Sequence, residues 1–235
     1  LSQALLPGAD LSAALLAESI FDEADLTSAN LSGAVLSGAV VTEANLTKAT
    51  LTSADLSDAD FGKATLTGAN LTSAILTGAD FTDTSMTNSD LSQADLTNAI
   101  FKKAILTGAI LEETDMTAMD ATGADLVNAN LAQADLTGAT VATATLINAD
   151  LQGSILIGAI LSGANLTAAN MSGSDMTGAN LSSADLTQTN LADADLSNAT
   201  MTSAQLVGTI WESTICPDGT TSSDHGDTCQ NNLSS

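Results

Sequence analysis

An apolar residue stands at every fifth position from Leu1 to Trp211, and the phase never slips. The run opens Leu1, Leu6, Leu11, Leu16, Phe21 and closes Leu196, Met201, Leu206, Trp211. Two residues before each stands a small one, most often alanine, as at Ala24, Ala29 and Ala34. Between the two sits most often Asp or Asn. A step of five turns about 140° on an α-helix, which scatters the leucines, and on a straight strand it reverses the face each time. The chain must therefore bend once per repeat. A triplet such as Ala54-Asp55-Leu56 alternates inward, outward, inward, and the small or polar pair Ser57-Asp58 takes the corner. Gly often fills the second corner position, as at Gly33, Gly38 and Gly158, where a turn wants positive φ.

The exceptions set the number of sides. Every twentieth residue from Leu1 reads Leu1, Phe21, Val41, Phe61, Phe81, Phe101, Ala121, Val141, Leu161, Leu181, Met201. All four phenylalanines, Phe21, Phe61, Phe81 and Phe101, fall in that column, and the other three columns are almost pure Leu. Four sides of five residues explain this economically, with the Phe rings stacked along one inner wall at the spacing aromatic pairs prefer. Met119 is large at a small inward site, and Ala121 is small at the next large one, a swap that conserves volume. The inward hydroxyls, among them Thr84, Ser89, Ser154 and Thr189, are small enough to bond nearby backbone. The 43 inward positions from Leu1 to Trp211 make nearly 11 coils, and at about 4.8 Å per coil the rod is roughly 50 Å long.

The pattern A-(D/N)-L-x-x, carried by Ala54-Asp55-Leu56, Ala94-Asp95-Leu96, Ala129-Asn130-Leu131 and Ala184-Asp185-Leu186, resembles the pentapeptide-repeat family over nearly all of residues 1–211. The resemblance implies an all-β solenoid, a right-handed quadrilateral β-helix with Leu or Phe and Ala inside. Members of the family include DNA mimics that bind gyrase or topoisomerase. Many cyanobacterial and chloroplast-lumenal members have no assigned activity. Residues 212–235 form a separate capping tail. Its Cys216-Pro217-Asp218-Gly219-Thr220 segment and later Cys229 are similar to the tail of the cyanobacterial and lumenal type, where such a segment closes the coil. Trp211 takes an inward slot in the last coil and is expected to plug the open core, as solenoid ends require.

The chain carries 28 acids against four Lys or Arg, all lysines. Four acids follow Trp211, so 24 acids and four lysines leave the rod a net charge of −20. B-DNA over the same length carries roughly 30 charges. Nucleic acid is excluded as a partner by this sign. Cationic partners, divalent ions or proteins that normally bind DNA are electrostatically sensible. Asp and Asn also suit turns and solvated faces, and charge keeps a thin rod soluble. A bond between the only two cysteines, Cys216 and Cys229, would close a loop worth about 3 kcal/mol in the chain-entropy model. It implies an oxidising compartment, periplasm or thylakoid lumen. The competing metal site has only His225 nearby to complete its ligand set. Leu1 is already in repeat phase, which predicts a processed or truncated start. No run is long and apolar enough to span a membrane.

Two surface features carry functional readings. Outward carboxylates follow one another at coil spacing in Asp95, Asp115 and Asp135, with Asp175 and Asp195 beyond; such a ladder offers oxygens to a divalent cation and is equally a solvated face. Elsewhere the outward position is apolar. Leu15, Ile20, Val35 and Val40 lie on two adjacent faces over two coils, and Ile100, Ile105 and Ile110 run around one coil beside Lys102-Lys103. The first group reads as a docking or dimer surface, or as β-propensity on a polar strand. No cofactor motif and no catalytic constellation is present; Ser213, Asp218 and His225 share a short tail with no evident oxyanion hole. The chain therefore reads as a non-enzymatic, exported structural or protein-interaction scaffold. The alternative is a dimeric DNA mimic acting on a gyrase or topoisomerase, and a weaker one is a cation-binding rod.

Overall fold

The computed structural model describes residues 1–230; the last five residues of the expected tail and the side chain of His225 lie outside it. From Leu5 to Ile215 every outward residue pairs in parallel with the residue twenty further on, as Leu5 with Asp25 and Asp195 with Ile215. The chain is thus a four-sided β-helix whose coils each take twenty residues. The five-residue phase runs one step beyond Trp211, because Cys216 occupies the next inward slot and is fully buried.

Within a repeat the inward Leu is position one, the corner residues two and three, the inward Ala four and the outward residue five. The backbone N–H groups of one repeat show how the coil holds together, since each needs an acceptor. Leu26 at position one donates to Asn45 O of the next coil at 2.8 Å, and Ser28 at position three to Thr47 O at 2.9 Å. Ala29 at position four closes the corner on Leu26 O at 2.9 Å, and Asn30 at position five reaches back to Ala9 O at 2.9 Å. The remaining N–H, Thr27 at position two, donates to Asp25 Oδ1 at 3.0 Å. That last bond explains the repeat's preference for Asp or Asn. Every outward Asp and Asn of the rod, from Asp10 to Asp195, accepts the N–H two residues later. Ser or Thr at position two often adds its hydroxyl to the same oxygen, as Thr97 does to Asp95 at 2.6 Å.

Position three is left-handed at every corner of the rod, as a type II turn requires. Gly is not needed for it: Glu43, Lys48, Asn88 and even the β-branched Thr143 hold φ between 55° and 58° there. Lysine, glutamate and β-branched residues resist this region; at Glu43, Lys48, Asn88 and Thr143 the position-three N–H is held in it by a bond to the next coil. Both prolines sit at position two. Pro7 follows Leu5 and Pro217 follows Ile215, outward residues with no acceptor for the N–H that proline lacks.

The core is a continuous column of Leu, Phe, Met and Ala, each buried within it worth about 1.5–3 kcal/mol for the larger side chains. Phe61, Phe81 and Phe101 stack with centroids 4.9 and 4.8 Å apart, while Val41 separates Phe21 from them. Met119 and Ala121 are both buried. Inward hydroxyls donate to main-chain carbonyls in two ways. Ser89, Ser154 and Ser174 bond the carbonyl of their own corner, and Thr84, Thr189 and Thr209 that of the previous coil.

Candidate interaction surfaces

The outward faces divide into self-satisfied and unsatisfied repeats. Where position five is Asp or Asn, its carboxylate or amide is already engaged with the next corner. In the column Asp95, Asp115, Asp135 each Oδ1 accepts a backbone N–H, from Thr97, Thr117 and Thr137. Asp95 lies below the ordinary carboxyl value: burial, the largest influence, pushes it up, but hydrogen bonds from Thr97 and Thr77 together outweigh it. Asp120 is lowered in the same way, against burial, by Thr122 and by Lys102, whose ammonium is 3.0 Å away. At Asp25 the Thr27 hydroxyl is the main cause of the lowering. These carboxylates serve the backbone, and among the described residues no group of three or more His, Cys, Asp or Glu is placed to hold a metal ion.

Where position five is apolar, the corner N–H has no side-chain acceptor and the apolar group faces out. Leu15 and Ile20 are 85% and 52% exposed, each bridged to a half-buried valine of the next coil, Val35 and Val40. Ile105 and Ile110 continue around a later coil from Ile100, with Lys102 beside them tied to Asp120 and Lys103 exposed. A third group, Ile155, Ile157 and Ile160, spans a corner, because Ile157 stands at position two where a polar residue is usual. Corner positions therefore also hold apolar side chains, outside the pattern at position five; Val207, also at position two, is 73% exposed. Scanning position two for Ile and Val would have found both.

At the C-terminal end the chain turns back on itself. Ile215 pairs antiparallel with Thr221, Ser222 N–H donates to Thr214 O at 2.8 Å, and the buried Ser222 hydroxyl bonds Trp211 O. A short 3-10 helix, Ser222–His225, follows, and Cys229 then returns to a disulfide with Cys216. Trp211 is inward and 4% exposed, yet its Nε1–H has no acceptor among the described residues. An unmade bond of this kind costs about 1–3 kcal/mol. Beside it a cleft of about 440 Å³ is lined by Thr209, Ile210, Trp211, Glu212 and Asp227. No helix among the described residues is long and apolar enough to cross a membrane.

Comparison with known proteins agrees with this architecture. The repeat described as Pentapeptide repeats matches in eight copies over residues 1–33, 29–68, 64–102, 99–138, 144–182 and 179–210. No curated protein matches. Among solved structures the chain is similar to HetL, a pentapeptide repeat protein involved in heterocyst differentiation regulation in the cyanobacterium Nostoc sp. strain PCC 7120. The two are 31% identical over 93% of this chain and 91% of HetL, with a TM-score of 0.54. A looser likeness joins it to full-length QnrB1, a plasmid-mediated fluoroquinolone resistance protein, at 18% identity over 71% and 90% of the two chains and a TM-score of 0.44. Another joins it to a pentapeptide repeat protein of the Arabidopsis thaliana thylakoid lumen, at 25% identity over 46% and 72% and a TM-score of 0.33.

Proposed function

We propose that this chain, which belongs to the pentapeptide-repeat family and has its right-handed quadrilateral β-helix, works as a non-enzymatic scaffold that binds a protein partner through the apolar departures on its outer faces. One observation carries the reading. At Leu15, Ile20, Ile105 and Ile110 the chain forgoes the acceptor its own corner would use and exposes hydrocarbon instead, with Ile100 half-buried beside the last two. Leu15, Ile20, Ile105 and Ile110 stay at least 39% exposed, so burial within the coil recovers only part of what the corner bond would give, and the exchange favours a benefit outside the molecule. Leu15 and Ile20, backed by Val35 and Val40, form the first docking surface; the Ile100–Ile110 belt forms the second. A regulatory relative such as HetL is in keeping with binding rather than turnover. The disulfide supports export to the periplasm or a thylakoid lumen.

The test is site-specific photo-cross-linking in the compartment where the protein accumulates. A photoreactive residue at Ile20 or Ile105 should give a discrete protein adduct, and one at Asp60 or Asp125 should not. Equal yields at all four sites, or none at any, would sink the reading. An adduct of doubled mass at Ile20 would identify a second copy as the partner.

The rod's charge favours a second reading. A net −20 over roughly 50 Å is within a factor of two of DNA, so a dimer could present a DNA-like surface to a gyrase or topoisomerase. A supercoiling assay with no inhibition at micromolar protein would set it aside.

A further inference from the structure

Of the rod's four edges, one alone carries charge of both signs at its corner positions. It runs between the side of Ile20 and Ile100 and the side of Ile105. Positions two and three of its repeats, from Asp22 to Lys103, hold four acids and three lysines, a net −1 where the whole rod carries −20. The signs are also ordered. Asp22 and Glu23 lie at one end and Lys102 and Lys103 at the other, with four coils of twenty residues between them. Glu23, Lys102 and Lys103 are exposed and Asp22 is half-buried. Gly62 stands midway, two coils from Asp22 and two from Lys102, and no other rod repeat has glycine at position two. Its backbone is not left-handed, and its N–H meets Asp60 Oδ1 at 2.9 Å. Thr82, one coil on, makes the same turn on Asp80 with a side chain in place, so the coil does not call for glycine here. Its effect is a notch of about 200 Å³ in the edge, between Thr42 and Thr82. Lys63 leans from beside it one coil back, to 3.4 Å from Glu43.

We infer that two copies of this chain pair side by side and antiparallel along this edge, about a two-fold axis that passes at Gly62. Such an axis lays Asp22 and Glu23 of each copy against Lys102 and Lys103 of the other, and it forms both contacts at once. It brings Ile20, 52% exposed, level with Ile100 of the other copy on the same side. Glu43 comes opposite Asp83 of the other copy, and the Lys63 already on Glu43 lies between the two carboxylates. The edges approach most closely at the axis, where neither copy has a side chain on residue 62. A parallel pair would instead set like charge against like at every coil. Complementary charge of this kind selects both the partner and its register. The inference rests on the docking reading in so far as it uses Ile20 and Ile100, and it names a second copy as what they meet; the ordered charges and the notch carry it.

Sedimentation velocity on the oxidised full chain should show a monomer–dimer equilibrium that shifts towards monomer as salt is raised. The Lys102→Glu, Lys103→Glu variant and the Asp22→Lys, Glu23→Lys variant, each with unchanged circular dichroism, should dimerise at least tenfold more weakly. Mixed in equal amounts they should recover the dimer, since each then offers the charge that the other has lost. Gly62→Gln fills the notch at a position where the same edge carries Thr42 and Lys102, and it should also weaken pairing at least tenfold. The Glu112→Gln, Glu113→Gln variant, altered on another edge, should not. A monomer at every concentration, or a dimer that both charge variants leave unchanged, would overturn the pairing; no recovery in the mixture would overturn its antiparallel register. A monomeric protein that cross-links at Ile20 to a different protein would sink this inference and keep the docking reading. A dimer rescued in the mixture, together with equal cross-linking yields at all four sites, would do the reverse.

Discussion

Ser162 and Ser182 stand one above the other on the same corner of the rod, and Gly163 N–H joins their repeats by donating to Ser182 O at 2.9 Å. They differ in the residue two positions before each. Two positions before Ser182, Asn180 Oδ1 accepts its N–H at 3.0 Å. Two positions before Ser162 stands Ile160, 39% exposed, with nothing to accept a proton. The backbone is the same in both, and Ile160 keeps its bridges to Thr140 and Asn180. The side-chain bond is therefore useful at each corner and indispensable at none. Position five is where this scaffold can exchange a little stability for a surface of its own.

Three experiments can break or sharpen that contrast. The largest effect should come from one well-satisfied coil: Asp185→Ala, Asn190→Ala and Asp195→Ala together remove three corner acceptors, and urea denaturation should show a loss of about 3 kcal/mol, roughly one per bond. Converting Ile100, Ile105 and Ile110 to Asn should leave stability within about 1 kcal/mol of the native value, since each new acceptor offsets lost packing, while the face cross-links disappear. Equal losses in the two coils would mean that the corner bond contributes nothing. A proline pair comes next. Ser182→Pro deletes a used N–H and should cost about 1 kcal/mol, whereas Ser162→Pro deletes an unused one and should be neutral or stabilising by up to about 1 kcal/mol; Pro7 and Pro217 already occupy such sites. Equal behaviour of the two variants in thermal melts would refute the pairing scheme.

The smallest effect is on acid stability. Asp25, Asp95 and Asp120 have carboxyls lowered below the ordinary value by their corner bonds. A lowered carboxyl contributes stability above its unfolded value, near pH 4, and loses it as pH falls through the folded one. Melting temperature should therefore drop below about pH 4. The Asp95→Asn, Asp120→Asn variant, which keeps the amide oxygen as acceptor, should show a shallower drop; an unchanged acid limb would remove these two residues from the account.

The interior of this molecule was legible in its sequence because burial admits few residue types. Leu every five residues, Ala two before it, and all four Phe in one column of twenty lead to the coil with no further information. The exterior was not, because Asp and Asn carry two meanings. Asp95, Asp115 and Asp135 look like a ladder of free charge, and only the turn geometry reveals that each is engaged with the residue two further on. The left-handed corners were legible at Gly33 or Gly158 and hidden at Lys48 and Glu43, where neighbouring coils rather than local preference set the backbone. The step to Cys216 was hidden as well, since a buried half-cystine does not look like another leucine. Trp211 could be placed as a plug, but the cleft beside it depends on where the tail returns.

The pairing of each outward residue with the one twenty further on has a consequence for how such a rod can change. Adding or deleting twenty residues would lengthen or shorten it with every face intact. Adding or deleting five beyond the Phe wall would be nearly as silent inside, since each Leu would still meet a Leu, but everything downstream would rotate by a quarter turn. Ile155 and Ile160 would leave the sides they share with Leu15 and Ile20, and Asp175 and Asp195 would leave the side of Asp95. Folding tolerates that rotation, so an unbroken phase over the whole rod keeps the compass bearings of its surface.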